Sequence, residues 1–190
     1  MNFDPDKYGE LIAPLICEAP GMELGPGRPN QNAREALSSL DPDTAFPGQK
    51  VVDSDMANAC ISGLWLLHNH LDPSHSISQG IHTSTGSFWH GIMHRREPDF
   101  GNAKYWFRRV GDHPVFEPLR LESAELAKNA QHIEVNYLST LVSWDPFRFV
   151  DLCQQGLREN GDLGEICRKI TRCEWQLLFD FCYNCAVAGQ

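Results

Sequence analysis

The chain has 190 residues, 42% of them hydrophobic and 22% charged. That is the usage of one globular domain, and it excludes wholesale disorder, collagen and coiled-coil rods. Twenty-five Asp and Glu against 16 Lys and Arg give a net charge of −9, so nucleic acid and anionic membrane are excluded as main partners, since both demand a positive surface.

Seven of the twelve prolines precede residue 50, and residues 20–29 (PGMELGPGRP) are six-tenths Pro or Gly. Such a stretch cannot be helix or central strand, so residues 1–50 read as an extended Pro/Gly-rich arm packed on a body formed by residues 51–190. Within the arm, residues 11–17 (LIAPLIC) form an apolar patch suited to docking.

From residue 54 the signals turn helical. Ser54 can cap a helix over Ala57–Leu71, where Ala57, Ile61, Leu64, Trp65, Leu67 and Leu71 recur at near-helical spacing. Asp72-Pro73 reads as an N-cap with proline in the first turn. Thr83–Thr85 offers caps for Ser87–Arg96, which Pro98 ends. Asp99 caps Asn102–Val110, stopped by Gly111 and Pro114. Helices are expected over Ser123–Gln131 and His132–Ser143. Asp145-Pro146 repeats the cap-proline device before Phe147–Arg158. Asp162 with Glu165 gives a capping-box pattern for the longest helix, along which Ile166, Ile170, Cys173, Leu177 and Phe181 keep a three-four spacing. Gln49–Val52 is too short to count as a strand. The expected class is a compact, all-α, multi-helix domain.

The beginning, Met1–Asp6, is acidic and lacks the basic and apolar regions of a secretory signal. No run approaches the 18 or so apolar residues of a membrane span. Seven cysteines, an odd number and mostly among apolar neighbours, read as reduced thiols. A soluble, cytoplasmic protein is the expectation. Cys182 and Cys185 form a C-x-x-C pair at the C-terminal end of the last helix, where the dipole opposes a thiolate; packing is the favoured role, redox or metal chemistry the alternative.

The charge is unevenly placed. Residues 1–60 carry 4 basic and 10 acidic side chains, residues 61–121 carry 6 and 5, and residues 122–190 carry 6 and 10; six of the eight histidines fall between His68 and His94. On a helix turning 100° per residue, His90, His94 and Glu97 share one 60° sector. An i,i+4 histidine pair can hand two imidazoles to one divalent transition metal, with Glu97 as a third ligand or a base and further ligands from His68, His70 or His75. Histidines in ordinary hydrogen bonds, or a histidine acid/base in a small-molecule pocket, are the competing readings. Gly91 stands where a helical zinc peptidase needs Glu, which disfavours that activity.

A basic-aromatic stripe follows: Arg95 and Arg96, then Lys104-Tyr105-Trp106-Phe107-Arg108-Arg109. Lys104 and Arg108 can share a helical face and, with Arg95 and Arg109, present donors to an anionic small molecule. Internal ion pairing with Glu97, Asp99 or Asp112 is the competing reading. Trp89, Trp106 and Trp65 can wall a pocket or fill a core, and His113 can reach back from its turn. Phosphate-binding glycine loops, dinucleotide fingerprints and Ser-His-Asp signatures are absent from the sequence.

The stretch Trp89-His90-x-x-Met93-His94-Arg95-x-Glu97-x-Asp99-x-x-Asn102-x-Lys104-Tyr105-Trp106-Phe107-Arg108-Arg109-Val110-Gly111-x-His113-Pro114 resembles a motif of uncharacterised bacterial and fungal proteins. The resemblance covers about 26 of the 190 residues and implies no activity, substrate or cofactor. The residues themselves point to an enzyme with a His-rich, metal-binding pocket for an anionic substrate. The alternative is a non-catalytic binding or interaction domain whose His and Arg are structural.

Overall fold

Aspartates cap three of the seven long helices in the computed structural model, which describes residues 3–130 and 132–187. Nine α-helices are present among these residues: α1 (Ile12–Cys17), α2 (Arg34–Ser38), α3 (Ser54–Leu67), α4 (Leu71–Gly80), α5 (Ser84–Arg96), α6 (Phe100–Val110), α7 (Phe116–Lys128), α8 (Pro146–Glu159) and α9 (Asp162–Ala186). The only β pairing among them is one bridge, Val51 with Val187. The fold is all-α.

Several caps follow the sequence. Thr83 Oγ1 accepts from Gly86 N (3.1 Å), Asp99 Oδ1 from Asn102 N (3.2 Å), and Asp145 Oδ1 from both Phe147 N and Arg148 N (3.0 Å each). Elsewhere the expected cap is displaced. Asp53, not Ser54, accepts from Met56 N (3.0 Å) at the start of α3. α3 ends at Leu67, short of the expected Leu71, because Asn69 adopts a left-handed φ of 62°. His70 N then bonds Trp65 O and Asn69 N bonds Leu66 O, the paired closure of a Schellman motif with Asn in the usual glycine position. α4 therefore begins one residue before Asp72, whose side chain makes no cap, and Pro73 falls in the first turn, where its missing N–H costs nothing.

At α9 the Asp162–Glu165 capping box does not form: Gly161 is the N-cap, and Glu165 instead pairs with Lys169 at 2.7 Å. α7 begins at Phe116, seven residues before the expected Ser123, and ends at Lys128; the expected terminus at Gln131 lies outside the described residues. The helix expected over His132–Ser143 is a 3-10 helix, Ile133–Thr140. Its two buried residues, Val135 and Leu138, are three apart, which is the 3-10 repeat, and β-branched Ile133 and Val135 weaken the α alternative.

The chain wraps around α5. Every residue from Thr85 to Arg96 is buried, with α3, α4 and α6 packed against it. Close approach is bought by glycine: a Cβ on Gly63 of α3 would lie 2.7 Å from the Trp89 ring, and one on Gly91 would lie 3.1 Å from Phe107 of α6.

The first 50 residues hold short helical turns, and Ile12, Leu15, Ile16, Met22 and Leu24 enter the core. The Pro/Gly-rich part has no ladder of its own, so its carbonyls are satisfied by the body. Arg96 Nε donates to Gly25 O (2.7 Å), Asn69 Nδ2 to Arg28 O (3.1 Å) and His70 Nε2 to Asn30 O (3.0 Å). His68 donates through Nε2 to Leu15 O (2.7 Å) and accepts at Nδ1 from Asn30 Nδ2 (3.0 Å).

Candidate metal centre

Two tight turns, residues 81–83 and 97–99, lay α4, α5 and α6 side by side. The three helices stack four rings. On α5, His90 and His94 face each other with centroids 4.7 Å apart and planes 26° from parallel. Trp106 of α6 covers the other face of His90 at 3.9 Å and 14°. His75 of α4 stands edge-on to both imidazoles, 4.6 Å from His90 and 5.3 Å from His94. One nitrogen from each of His75, His90 and His94 lies within 4.8 Å of the other two.

The environment favours the neutral form of His90 and His94. Burial pushes the His90 imidazolium down to about 3, and the adjacent His94 and His75 add to the shift. Burial also lowers His94, against the pull of Glu97. Neutral imidazole is the form that ligates a metal. Both ring nitrogens of His90 are buried without a hydrogen-bond partner, and an unpaired buried polar group ordinarily costs about 1–3 kcal/mol.

Glu97 stands outside the three-histidine cluster. It is the C-cap of α5, beyond the last residue whose position the helical repeat fixes, and its carboxylate accepts from His94 Nδ1 at 3.0 Å. His75 takes the third place. Glu97 thereby holds the proton on Nδ1 and leaves the Nε2 lone pair of His94 facing inward, the carboxylate–histidine device of many metal sites. Asn102 Nδ2 lies against the same ring, 3.3 Å from Nδ1 and 3.0 Å from Nε2.

The other sequence candidates lie elsewhere. His68 ties the arm to the body and is outside the trio. His113 is buried, accepts from Val115 N (3.2 Å) and meets Thr85 Oγ1 at 3.2 Å. Arg95 points away from the imidazoles into a closed environment, bonding both carboxylate oxygens of fully buried Glu174 and lying 4.8 Å over Phe149. Trp89 is core: its Nε1 donates to Cys182 Sγ at 3.4 Å. Lys104 pairs with Asp151 at 2.5 Å. Arg108 lies over Phe147, and Arg109 over Trp106 at 5.3 Å. Cys182 is buried and Cys185 exposed, and neither is in a disulfide.

Two participants were not singled out from sequence. Asn102 had no distinguishing signal beyond its place in the motif. Glu174 had one: it interrupts the apolar face of α9 between Ile170 and Leu178, four residues from each, and a carboxylate there must find a buried cation.

Comparison of the chain with protein-family models, with curated proteins and with solved structures finds no match. Among the described residues no helix is long and apolar enough to cross a membrane.

Proposed function

We propose that His75, His90 and His94 bind a divalent transition metal, and that the protein is a metal-dependent enzyme acting on an anionic small molecule. The observation that carries this reading is His90. Two orphaned nitrogens in the core are anomalous for a structural histidine, and a metal ion among the three rings gives one of them a partner. Zinc is the first choice for an all-imidazole set without thiolate.

Tetrahedral coordination at about 2.05 Å sets nitrogens about 3.3 Å apart. The trio must close by up to about 1.5 Å to reach that spacing. His75, only half-buried and held by ring contacts, is the member free to turn.

Three protein nitrogens leave a fourth position for water or substrate, the composition of catalytic zinc sites, where a bound water ionises near neutral pH. Arg109, which makes no ion pair among the described residues, stands one ring layer above His90 across Trp106. It is the cation placed to orient an anionic group.

Metal analysis of protein made without a histidine tag tests the reading. About one metal per chain is expected, with a raised melting temperature on adding Zn²⁺ or Co²⁺ and a tetrahedral cobalt spectrum that His75→Ala and His90→Ala each abolish. Absence of stoichiometric metal together with no thermal response to Zn²⁺, Co²⁺, Ni²⁺ or Mn²⁺ overturns it.

A further inference from the structure

On the far side of α9 from α5, a cleft of about 610 Å³ opens between the arm, α7 and α9. One wall is apolar, with Ile16, Pro20 and Met22 from the arm and Leu126 from α7. The other is a charged strip of α9 carrying Arg168, Lys169 and Arg172. Lys169 is committed to Glu165 at 2.7 Å. The two arginines are not committed: among the described residues neither makes an ion pair, although both are half-buried. They sit four residues apart, hence one above the other on the same helical face.

Half-burial without a counter-ion is costly for a guanidinium. Burial holds Arg172 below the ordinary arginine value, and its recorded contact is the face of Trp175 at 5.4 Å. Carboxylates outnumber cations 25 to 16 in this chain, so a shortage of partners does not explain two bare arginines. A cleft shaped to receive an anion does. We propose that Arg168 and Arg172 form the anion end of a binding site for an amphipathic organic monocarboxylate, whose hydrocarbon part lies along Ile16, Met22 and Leu126.

The ligand class follows from the lining. The volume falls within the range of small-molecule pockets. Planar guanidinium forks match the two oxygens of a carboxylate. Glu122 and Glu165 also border the cleft, so among the described lining residues three cations face two carboxylates. That suits a single negative charge and disfavours a polyphosphate. This site is separate from the histidine centre and does not depend on it.

Octanoate is a suitable probe. Titration calorimetry should show binding of octanoate, with neither 1-octanol nor inorganic phosphate binding comparably. Arg168→Gln and Arg172→Gln should each weaken octanoate about tenfold, the loss of one charge-assisted contact. Leu126→Trp, which fills the apolar end and leaves both cations in place, should abolish binding. Octanoate should also slow alkylation of Cys17, an exposed thiol in the lining, as read by peptide mass mapping, while Cys185 reacts unchanged. Equal binding of 1-octanol, unaltered octanoate affinity in the double Gln variant, or no octanoate binding at all overturns the proposal. The far-ultraviolet spectrum and melting temperature of each variant separate lost binding from lost folding.

Discussion

At the residue scale, the centre turns on what each imidazole nitrogen has for a partner. The i,i+4 placement of His90 and His94 was legible because mid-helix geometry is predictable. Glu97 lies where the helix ends, and past that point only the local turn decides where a side chain goes; it bonds His94 and stands outside the three-histidine cluster. His68 was equally a histidine near the cluster, yet its partners lie 53 and 38 residues away in the arm, beyond what spacing can show. The orphaned nitrogens of His90 give a test. In the presence of EDTA, His90→Leu should be more stable than the parent by about 1–2 kcal/mol in urea denaturation, since it removes unpaired polar groups from the core. A less stable Leu variant would mean that His90 has partners in the metal-free protein. Glu97→Gln should weaken metal affinity by about 10- to 100-fold, measured by competition with a chromophoric chelator, because an amide no longer draws the Nδ1 proton.

At the element scale, the central fact is that α5 is buried from Thr85 to Arg96 while carrying two histidines and two arginines. An all-buried helix is usually apolar all round. Here the polar atoms other than those of His90 are answered by particular neighbours: Glu174 for Arg95, arm carbonyls for Arg96, and Glu97 with Asn102 for His94. Its extent was readable from Thr83 and Pro98, but its central position was not, because the distribution of partners around a helix is a tertiary property. The same division holds for caps. Asp99 and Asp145 worked as read, since nothing competes for them. Asp72 did not, because the left-handed turn at Asn69 starts α4 earlier. The closeness of α3 to α5 makes Gly63→Ala a sharp probe. Its Cβ would lie 2.7 Å and 2.8 Å from atoms of the Trp89 ring, itself fixed by Cys182 and by Trp175 at a centroid distance of 6.3 Å. Overpacking of about 1–3 kcal/mol is expected in thermal or urea unfolding, and neutrality would show that α3 and α5 can separate freely.

At the scale of the whole molecule, the partition of charge located the near-neutral centre correctly and its meaning only in part. Arg95 and Arg96 make that centre less acidic, yet both are structural cations turned inward. Arg168 and Arg172, the bare guanidinium pair bordering a cleft, lie in the acidic C-terminal third, where a sum over sequence hides them. Net charge and the buried histidines make opposite forecasts of acid stability. With a pI near 5.3, relief of self-repulsion predicts a more stable protein as pH falls from 7.5 to 5. The buried histidines predict the reverse. Burial pushes His113 down to about 4 and lowers His68 as well, so the folded chain protonates both at lower pH than the unfolded chain, in which they titrate near 6.5. Below 6.5 the unfolded state binds more protons, and stability is therefore lost as pH drops towards 4. His68 carries this loss to the arm, because a protonated Nδ1 can no longer accept from Asn30. Urea midpoints in EDTA should fall between pH 7.5 and 5 by an amount on the order of 2 kcal/mol. His113→Asn, whose amide oxygen can replace Nδ1 as acceptor for Val115 N, should flatten that slope. A midpoint that rises towards the pI would show that surface repulsion, and not the neutral interior, governs how this protein responds to acid.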